Sequence, residues 1–266
     1  MSILFRGFQN VLRRAVLPSK LASTVVGSRL ISKTRSKAPK PSQLIYPAAP
    51  SKDHSDLATF LTYVERTSLN KTSTVYRGTH YEYTVADTLS QYGFFLKRVG
   101  GQSDRGMDLL GIWTLPSTSQ TSKVIIQCKA GARSTSPMYI RELKGAMAVA
   151  PPGWRGTDVL GLLVGEKPAT KGVQKEINTA DVALGYVCCT KEGQVMQLLW
   201  NLKAQEMGLD GVSVGVKYGE DKKNQIVLMR GGKMLPLLEK VKIEEENVVD
   251  VSVLKQKGEK SDITGS

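Results

Sequence analysis

The chain is poor in the residues that most often announce a metal or catalytic site. It has only two histidines, His54 and His80, and three cysteines, Cys128, Cys188 and Cys189. No Cys-x-x-Cys occurs, which argues against a structural zinc site. An odd, apolar-flanked set of thiols suits a reducing compartment. Two histidines are too few for zinc clusters, two-histidine nucleases and most histidine-based phosphodiesterases, and His80 is expected to cap or flank a helix. Aromatic residues make up 6% of the chain, few for a single-strand stacking platform. No apolar run is long enough to span a bilayer. A nucleophile elbow, a dinucleotide-binding glycine fingerprint and a P-loop are also missing. If the chain catalyses anything, carboxylates with a metal ion are what remains.

The longest acid-free stretch is at the N-terminus. Residues 1–52 carry ten Lys or Arg and no Asp or Glu, leaving 27 basic and 24 acidic residues in the other 214. The net charge of +13 is therefore mostly an N-terminal property and no sign of nucleic-acid binding by the rest. If the remainder binds nucleic acid, its positive charge must be gathered locally. Arg6, Arg13 and Arg14 interleave with Leu4, Phe5, Phe8, Leu12 and Val16. That pattern reads as a basic amphipathic helix, and residues 1–40 are expected to be a mitochondrial transit peptide. The destination expected from it is the mitochondrial matrix.

A proline-rich linker, 41–50, follows. Leu57, Phe60, Leu61 and Val64 give Asp53–Arg66 a helical stripe. It is expected to be a helical extension within a 41–73 segment. The main domain is expected at 74–243. Tyr81, Val85, Leu89 and Tyr92 predict a helix closing at Gly93. Strands are predicted at Phe94–Val99, Met107–Leu115 and Lys123–Lys129, then a helix at Met138–Val149. Val159–Val164, Lys171–Thr179 and Val182–Cys189 read as a βαβ unit with a parallel strand pair. Gln194–Trp200 adds a strand. Val212–Tyr218 and Gln225–Arg230 read as a hairpin attached at an edge. Residues 244–266 are a polar tail expected to be disordered.

The chemistry concentrates between Gly100 and Lys129. A glycine-rich turn, Gly100 to Gly106, leads into a strand that opens with Asp108. About twenty residues later a β-branched strand ends in Gln127-Cys128-Lys129. Strand side chains alternate, so Gln127 and Lys129 share a face while Cys128 joins Val124 and Ile126 on the other. A hard Mg²⁺ ion takes oxygen ligands and keeps several waters. The Asp108 carboxylate, the Gln127 amide oxygen and the Cys128 carbonyl can supply three. Lys129 would then orient an attacking water or stabilise a pentavalent phosphate.

Asp, a spacer of about twenty residues, and Gln-x-Lys on a strand behind Gly-Gly-x-x-Asp-x-Gly resembles the PD-(D/E)xK nuclease superfamily. The glutamine resembles its Mrr-like branch. With the order of the other elements, the chain resembles the fungal mitochondrial family called required for respiratory growth protein 7, over roughly Tyr76–Asn201 (core 76–201, hairpin 212–230). The resemblance implies an α/β fold with a restriction-endonuclease-like core, a mixed central sheet flanked by helices. It implies Mg²⁺ (or Mn²⁺) dependent phosphodiester hydrolysis on nucleic acid, DNA before RNA, with Asp108, Gln127 and Lys129 at the site. Glu82, on the preceding helix, matches the position that often completes the metal site. Arg105, Arg141 and Lys144 are candidate phosphate contacts, Glu142 a supporting carboxylate. Double-strand cleavage would call for a homodimer, which nothing in the sequence specifies. The alternative is a catalytically silent nuclease fold that binds nucleic acid or a mitochondrial protein.

Overall fold

Capping residues set where the first helices begin. In the computed structural model, which describes residues 44, 46–101, 106–131, 133–218 and 224–239, helix α1 runs Leu57–Thr67. Asp56 is its N-cap, and its carboxylate accepts from the Thr59 amide at 2.8 Å. The Thr59 hydroxyl returns the bond by accepting from the Asp56 amide at 3.1 Å. This reciprocal box fixes the start at Leu57, the first residue of the hydrophobic stripe and four residues after the expected Asp53. Helix α2, Thr74–Ser90, is capped by Ser73 and buries Tyr81, Val85 and Leu89. His80 lies inside α2 and stacks on Tyr76, centroids 5.4 Å apart, so it neither caps nor flanks the helix as expected. The helix ends at Ser90, earlier than expected, and the Gly93 carbonyl instead accepts from the Thr114 amide at 2.9 Å. The expected transit segment, the 244–266 tail and the turn at 219–223 lie outside the described residues.

Six strands form one mixed sheet in the order β1-β2-β3-β4-β5-β6. They are β1 Phe94–Arg98, β2 Leu109–Thr114, β3 Thr121–Lys129, β4 Val159–Gly165, β5 Leu184–Cys189 and β6 Val195–Trp200. The first three pair antiparallel. β3, β4 and β5 pair parallel, and β6 closes the edge antiparallel to β5. Helix α3, Pro137–Ala148, connects β3 to β4, and α4, Lys171–Asn178, connects β4 to β5. The parallel strands read as continuous apolar runs because both their faces are covered; every residue of β4 is buried. This is the mixed sheet flanked by helices that the sequence implied.

The two faces carry different cores. Val124 and Ile126 of β3 pack with Tyr81, Val85 and Leu89 of α2. Ile125 packs with Ile140 and Leu143 of α3 and Val173 and Ile177 of α4. A one-residue slip of β3 would carry Val124 and Ile126 into the α3 core and turn Gln127 and Lys129 toward the α2 core, where a polar amide and an ammonium would be buried. The register of β3 is therefore tightly specified, and with it the side to which Gln127 and Lys129 point.

The C-terminal strands do not extend that sheet. β7 Val212–Tyr218, β8 Asn224–Arg230 and β9 Lys233–Met234 form a separate antiparallel sheet. It follows α5, Leu202–Ala204, and a π-helical turn, Gln205–Leu209. The hairpin joins the domain through side chains instead of an edge. Val212, Ile226 and Leu228 enter the α2-side core, and the buried Tyr92 hydroxyl donates to the Ile226 carbonyl at 3.0 Å.

Candidate functional site

Asp108 is held by backbone on both sides. Its amide donates to the Ile126 carbonyl of β3 at 2.9 Å, and its carbonyl accepts from Val99 and Gly100 at 2.8 and 2.9 Å. Its carboxylate accepts from the Cys128 amide at 2.6 Å. The carboxylate is thus fixed at the end of β3, against the Gln127–Cys128 peptide. A carboxylate bonded by a backbone N–H is favoured in its charged form.

Gln127 is 1% exposed. Its Oε1 is buried and accepts no hydrogen bond among the described residues. An unsatisfied buried amide oxygen costs on the order of 1–3 kcal/mol, so its persistence asks for a ligand. Gly106 explains how the amide is enclosed. It has φ +78°, and a Cβ there would come within 2.7 Å of Gln127 Nε2. Only glycine combines that backbone conformation with that approach. Gly106 therefore lies against the side chain two positions from the strand's lysine.

Lys129 Nζ lies 3.5 Å from Glu142 Oε1 of α3 and 4.4 Å from the centroid of the Tyr139 ring. Tyr139 and Glu142 are one helical turn apart, so α3 presents both to the lysine. The lysine is held by a carboxylate and a ring face, yet it retains partial exposure. Glu142 also reaches Gly106: its Oε1 would lie 3.7 Å from a Cβ there. Gly106, Gln127, Lys129 and Glu142 thus gather on the α3 face.

Glu82 belongs to the opposite face. It pairs with Arg98 of β1 at 2.5 Å, both side chains nearly buried. Arg98 also donates to Thr79 Oγ1 at 3.3 Å and lies over the Tyr83 ring at 5.7 Å. Cys128 is the residue that senses both faces. Burial pushes its thiol well up, and the Asp108 and Glu82 carboxylates push it further. The thiol is therefore protonated at neutral pH and inert as a nucleophile.

Two of the three expected phosphate contacts have carboxylate partners. Arg141 pairs with Glu176 at 2.6 Å and Lys144 with Asp181 at 2.8 Å, both toward α4. The Lys144 ammonium holds the Asp181 carboxyl below its usual range. Arg105 lies outside the described residues. Two residues were not singled out by sequence. Arg98 claims Glu82, and Glu166, after β4, accepts from the Gly131 amide at 2.7 Å. Neither carries a local sequence signal, since each partner is remote in the chain.

Among the described residues no three His, Cys, Asp or Glu side chains converge as a metal cage. A cation here would rest on Asp108, the Gln127 oxygen and water. That sparse oxygen set fits Mg²⁺, which keeps much of its hydration shell, and the orphaned Gln127 oxygen is the observation that supports the fit.

Comparison with known proteins adds a family. A model of the family described as required for respiratory growth protein 7 matches residues 73–123 and 117–216. A Schizosaccharomyces pombe protein, described as uncharacterized and mitochondrial, is 30% identical over 155 residues, 57% of this chain and 61% of that protein. A Zygosaccharomyces rouxii protein named required for respiratory growth protein 7, mitochondrial, is 30% identical, covering 43% of this chain and 64% of the relative. The chain thus spans less than two thirds of the length of either relative. Among solved structures, the MspJI restriction endonuclease with a 27-mer oligonucleotide matches 48% of this chain and 28% of its own, at 17% identity and a TM-score of 0.26. So low a score adds nothing to the topology described above. No helix of the described residues is long and apolar enough to cross a membrane.

Proposed function

The chain belongs to the family of required for respiratory growth protein 7, and from that premise we propose that it is a mitochondrial PD-(D/E)xK-type nuclease, hydrolysing phosphodiester bonds of nucleic acid with Mg²⁺ in support of the mitochondrial genome and respiratory growth. The acid-free N-terminal 52 residues and the relatives named mitochondrial support the location, with the matrix as the compartment. The observation that carries the activity is the buried, unpartnered Gln127 Oε1 beside a backbone-fixed Asp108 and two residues from Lys129.

In this reading Asp108 and Gln127 hold the cation. When bound, Mg²⁺ (or Mn²⁺) supplies charge neutralisation at the phosphate and a more acidic water. Lys129 orients the attacking water and donates to the phosphoryl oxygens as charge develops there. Glu142 and Tyr139 keep its ammonium on that side of the sheet. Glu82 would join the cation in competition with Arg98. Arg141 and Lys144 would bind phosphate in competition with Glu176 and Asp181, and Arg105 remains a candidate contact from the glycine-rich turn. Gln127 contributes an oxygen without charge, so the cation is held more weakly than by two carboxylates.

The Arg98–Glu82 pair favours a second reading, a nuclease fold that binds DNA without cutting it, because the pair withholds one carboxylate. The two are separated by assaying the full chain on supercoiled, branched and single-stranded DNA with Mg²⁺ or Mn²⁺. Asp108→Ala and Lys129→Ala are expected to lower cutting at least roughly 100-fold with folding intact. DNA binding without cutting by the native chain would establish the second reading.

A further inference from the structure

Two loops at one end of the sheet are stitched together more firmly than a connection requires. The first, described at residues 130, 131 and 133–136, follows Lys129 on β3. The second, residues 166–170, follows Gly165 on β4, and Lys129 and Gly165 are register partners. Gly131 donates to Glu166 at 2.7 Å. The buried Tyr186 hydroxyl donates to the Lys167 carbonyl at 2.6 Å. That commits its proton, so the Thr135 hydroxyl at 2.9 Å is the donor to Tyr186. Tyr186 reaches across β4 because Gly165 has no side chain: a Cβ there would lie 2.5 Å from the phenol oxygen and 2.8 Å from Thr135 Cγ2. The Ala169 amide is bonded to Gln197 at 2.8 Å, and Thr170 caps α4.

Three basic side chains stand on these loops and at the start of α4. Arg133, Lys167 and Lys171 are all exposed. Arg133 and Lys167 sit one on each loop, and Lys171 opens α4 next to Thr170. None of the three makes an ion pair among the described residues, whereas Arg141 and Lys144 each have a carboxylate. The nearby Glu166 is turned inward to Gly131. The chain beyond residue 52 is almost neutral, so three exposed cations on two bonded loops that leave the Lys129–Gly165 register pair give this end of the sheet the local positive charge that phosphate binding needs.

We infer that Arg133, Lys167 and Lys171 form the phosphate-binding rim of the site and hold the backbone of duplex nucleic acid beside Lys129. The inference rests on the nucleic-acid reading above but not on cleavage. Preorganised loops spend little ordering entropy on binding. Their cations displace condensed counterions from the phosphates, so each one that touches a phosphate appears as a salt dependence. Phosphate-bound cations of this kind position the substrate and read no sequence.

The test is binding of the full chain to a short fluorescent duplex DNA across a salt titration, in EDTA so that hydrolysis plays no part. The ten cations of residues 1–52 are common to every variant and cancel in the comparison. Removing one phosphate-bound cation should lower the slope of log K against log salt by about 0.9. Arg133→Ala, Lys167→Ala and Lys171→Ala combined are expected to flatten the slope by roughly two to three and to weaken binding at least tenfold. The single variants should each flatten it by about 0.9, which guards against a misfolded triple variant. Arg141→Ala with Lys144→Ala is expected to leave the slope unchanged. A native slope in the triple variant overturns the inference, as does a loss confined to the Arg141 and Lys144 pair. Either result leaves the metal-site reading, tested by Asp108→Ala cutting, untouched. Absence of DNA binding by the native chain overturns both the inference and the nucleic-acid reading.

Discussion

The α3 and α2 faces of the sheet treat their polar groups in opposite ways. On the α2 face, Glu82 and Arg98 are nearly buried and lie 2.5 Å apart, with Thr79 and Tyr83 completing the guanidinium's surroundings. On the α3 face, Lys129 stands 3.5 Å from Glu142, with 27% and 44% of their side chains exposed, and the Gln127 oxygen is buried without a partner. The Glu82–Arg98 pair is closed, whereas the Lys129–Glu142 pair is slack and the Gln127 oxygen open; among the described residues the α2 side has one orphan of its own, the Thr88 hydroxyl. A closed pair serves the fold, whereas open valences next to a fixed carboxylate serve a ligand.

The largest break in this comparison comes from removing Arg98. Arg98→Ala leaves the Glu82 carboxylate buried without its counterion, which is expected to cost about 3–5 kcal/mol. Lys129→Ala breaks a more exposed and longer pair, and is expected to cost about 1 kcal/mol or less. Urea denaturation of the two variants measures the difference directly. Equal losses would show that the faces do not differ as their geometry says. Replacing Arg98 and Glu82 together by Met and Leu should recover most of the loss, since the penalty arises from a lone buried charge.

A smaller effect, of opposite sign, sharpens the same contrast. Gln127→Met keeps the volume and removes the unsatisfied amide. Stability is expected to rise by about 1 kcal/mol, while divalent-cation binding, read by Mn²⁺ paramagnetic resonance on the full chain, falls at least roughly tenfold because an oxygen ligand is gone. A residue kept for packing alone would show the reverse pattern, lost stability and unchanged binding. This variant therefore asks whether the amide is there for the fold or for a ligand.

Much of this frame was legible in the sequence because it depends on local periodicity. Once the β-branched run of β3 is read as a strand, strand geometry alone sends Val124, Ile126 and Cys128 one way and Gln127 and Lys129 the other. The β4-α4-β5 unit and the β7-β8 hairpin follow from apolar runs and turn residues. The start of α1 was less legible: the apolar stripe is silent about which of Asp53 and Asp56 caps it, and the Thr59 bond decides. Glu82 looked available because its partner lies sixteen residues on and meets it only once β1 folds against α2. Arg141 and Lys144 looked available for the same reason, their carboxylates being supplied by α4 and the loop after it. The rim of Arg133, Lys167 and Lys171 is invisible in sequence, since it depends on Tyr186 crossing Gly165 to bind two loops together. Periodicity fixes which way a side chain points, but tertiary packing fixes which charge it meets.

The smallest effect tests how far the α2 face extends toward α1. His54 lies against Phe60, Tyr63 and Tyr83, and its Nδ1 is 2.8 Å from the Tyr83 hydroxyl. Tyr83 in turn lies under Arg98. Burial lowers the His54 pKa below its usual 6.5, the Arg98 charge lowers it further, and Asp53 opposes both. A histidine lowered in the folded state binds its proton more readily when unfolded. Its contribution is therefore fully present above about pH 6.5, and is lost as pH falls from there through the lowered folded value. Stability should decline across that window in the native chain, and less steeply in His54→Gln, with the difference small because the ring is partly solvated. His80 is lowered by burial as well, so some slope should persist in the variant. A pH profile of urea midpoints for both chains checks this, and identical slopes would mean that protonating His54 does not loosen the contact between α1 and the Arg98 side of the sheet.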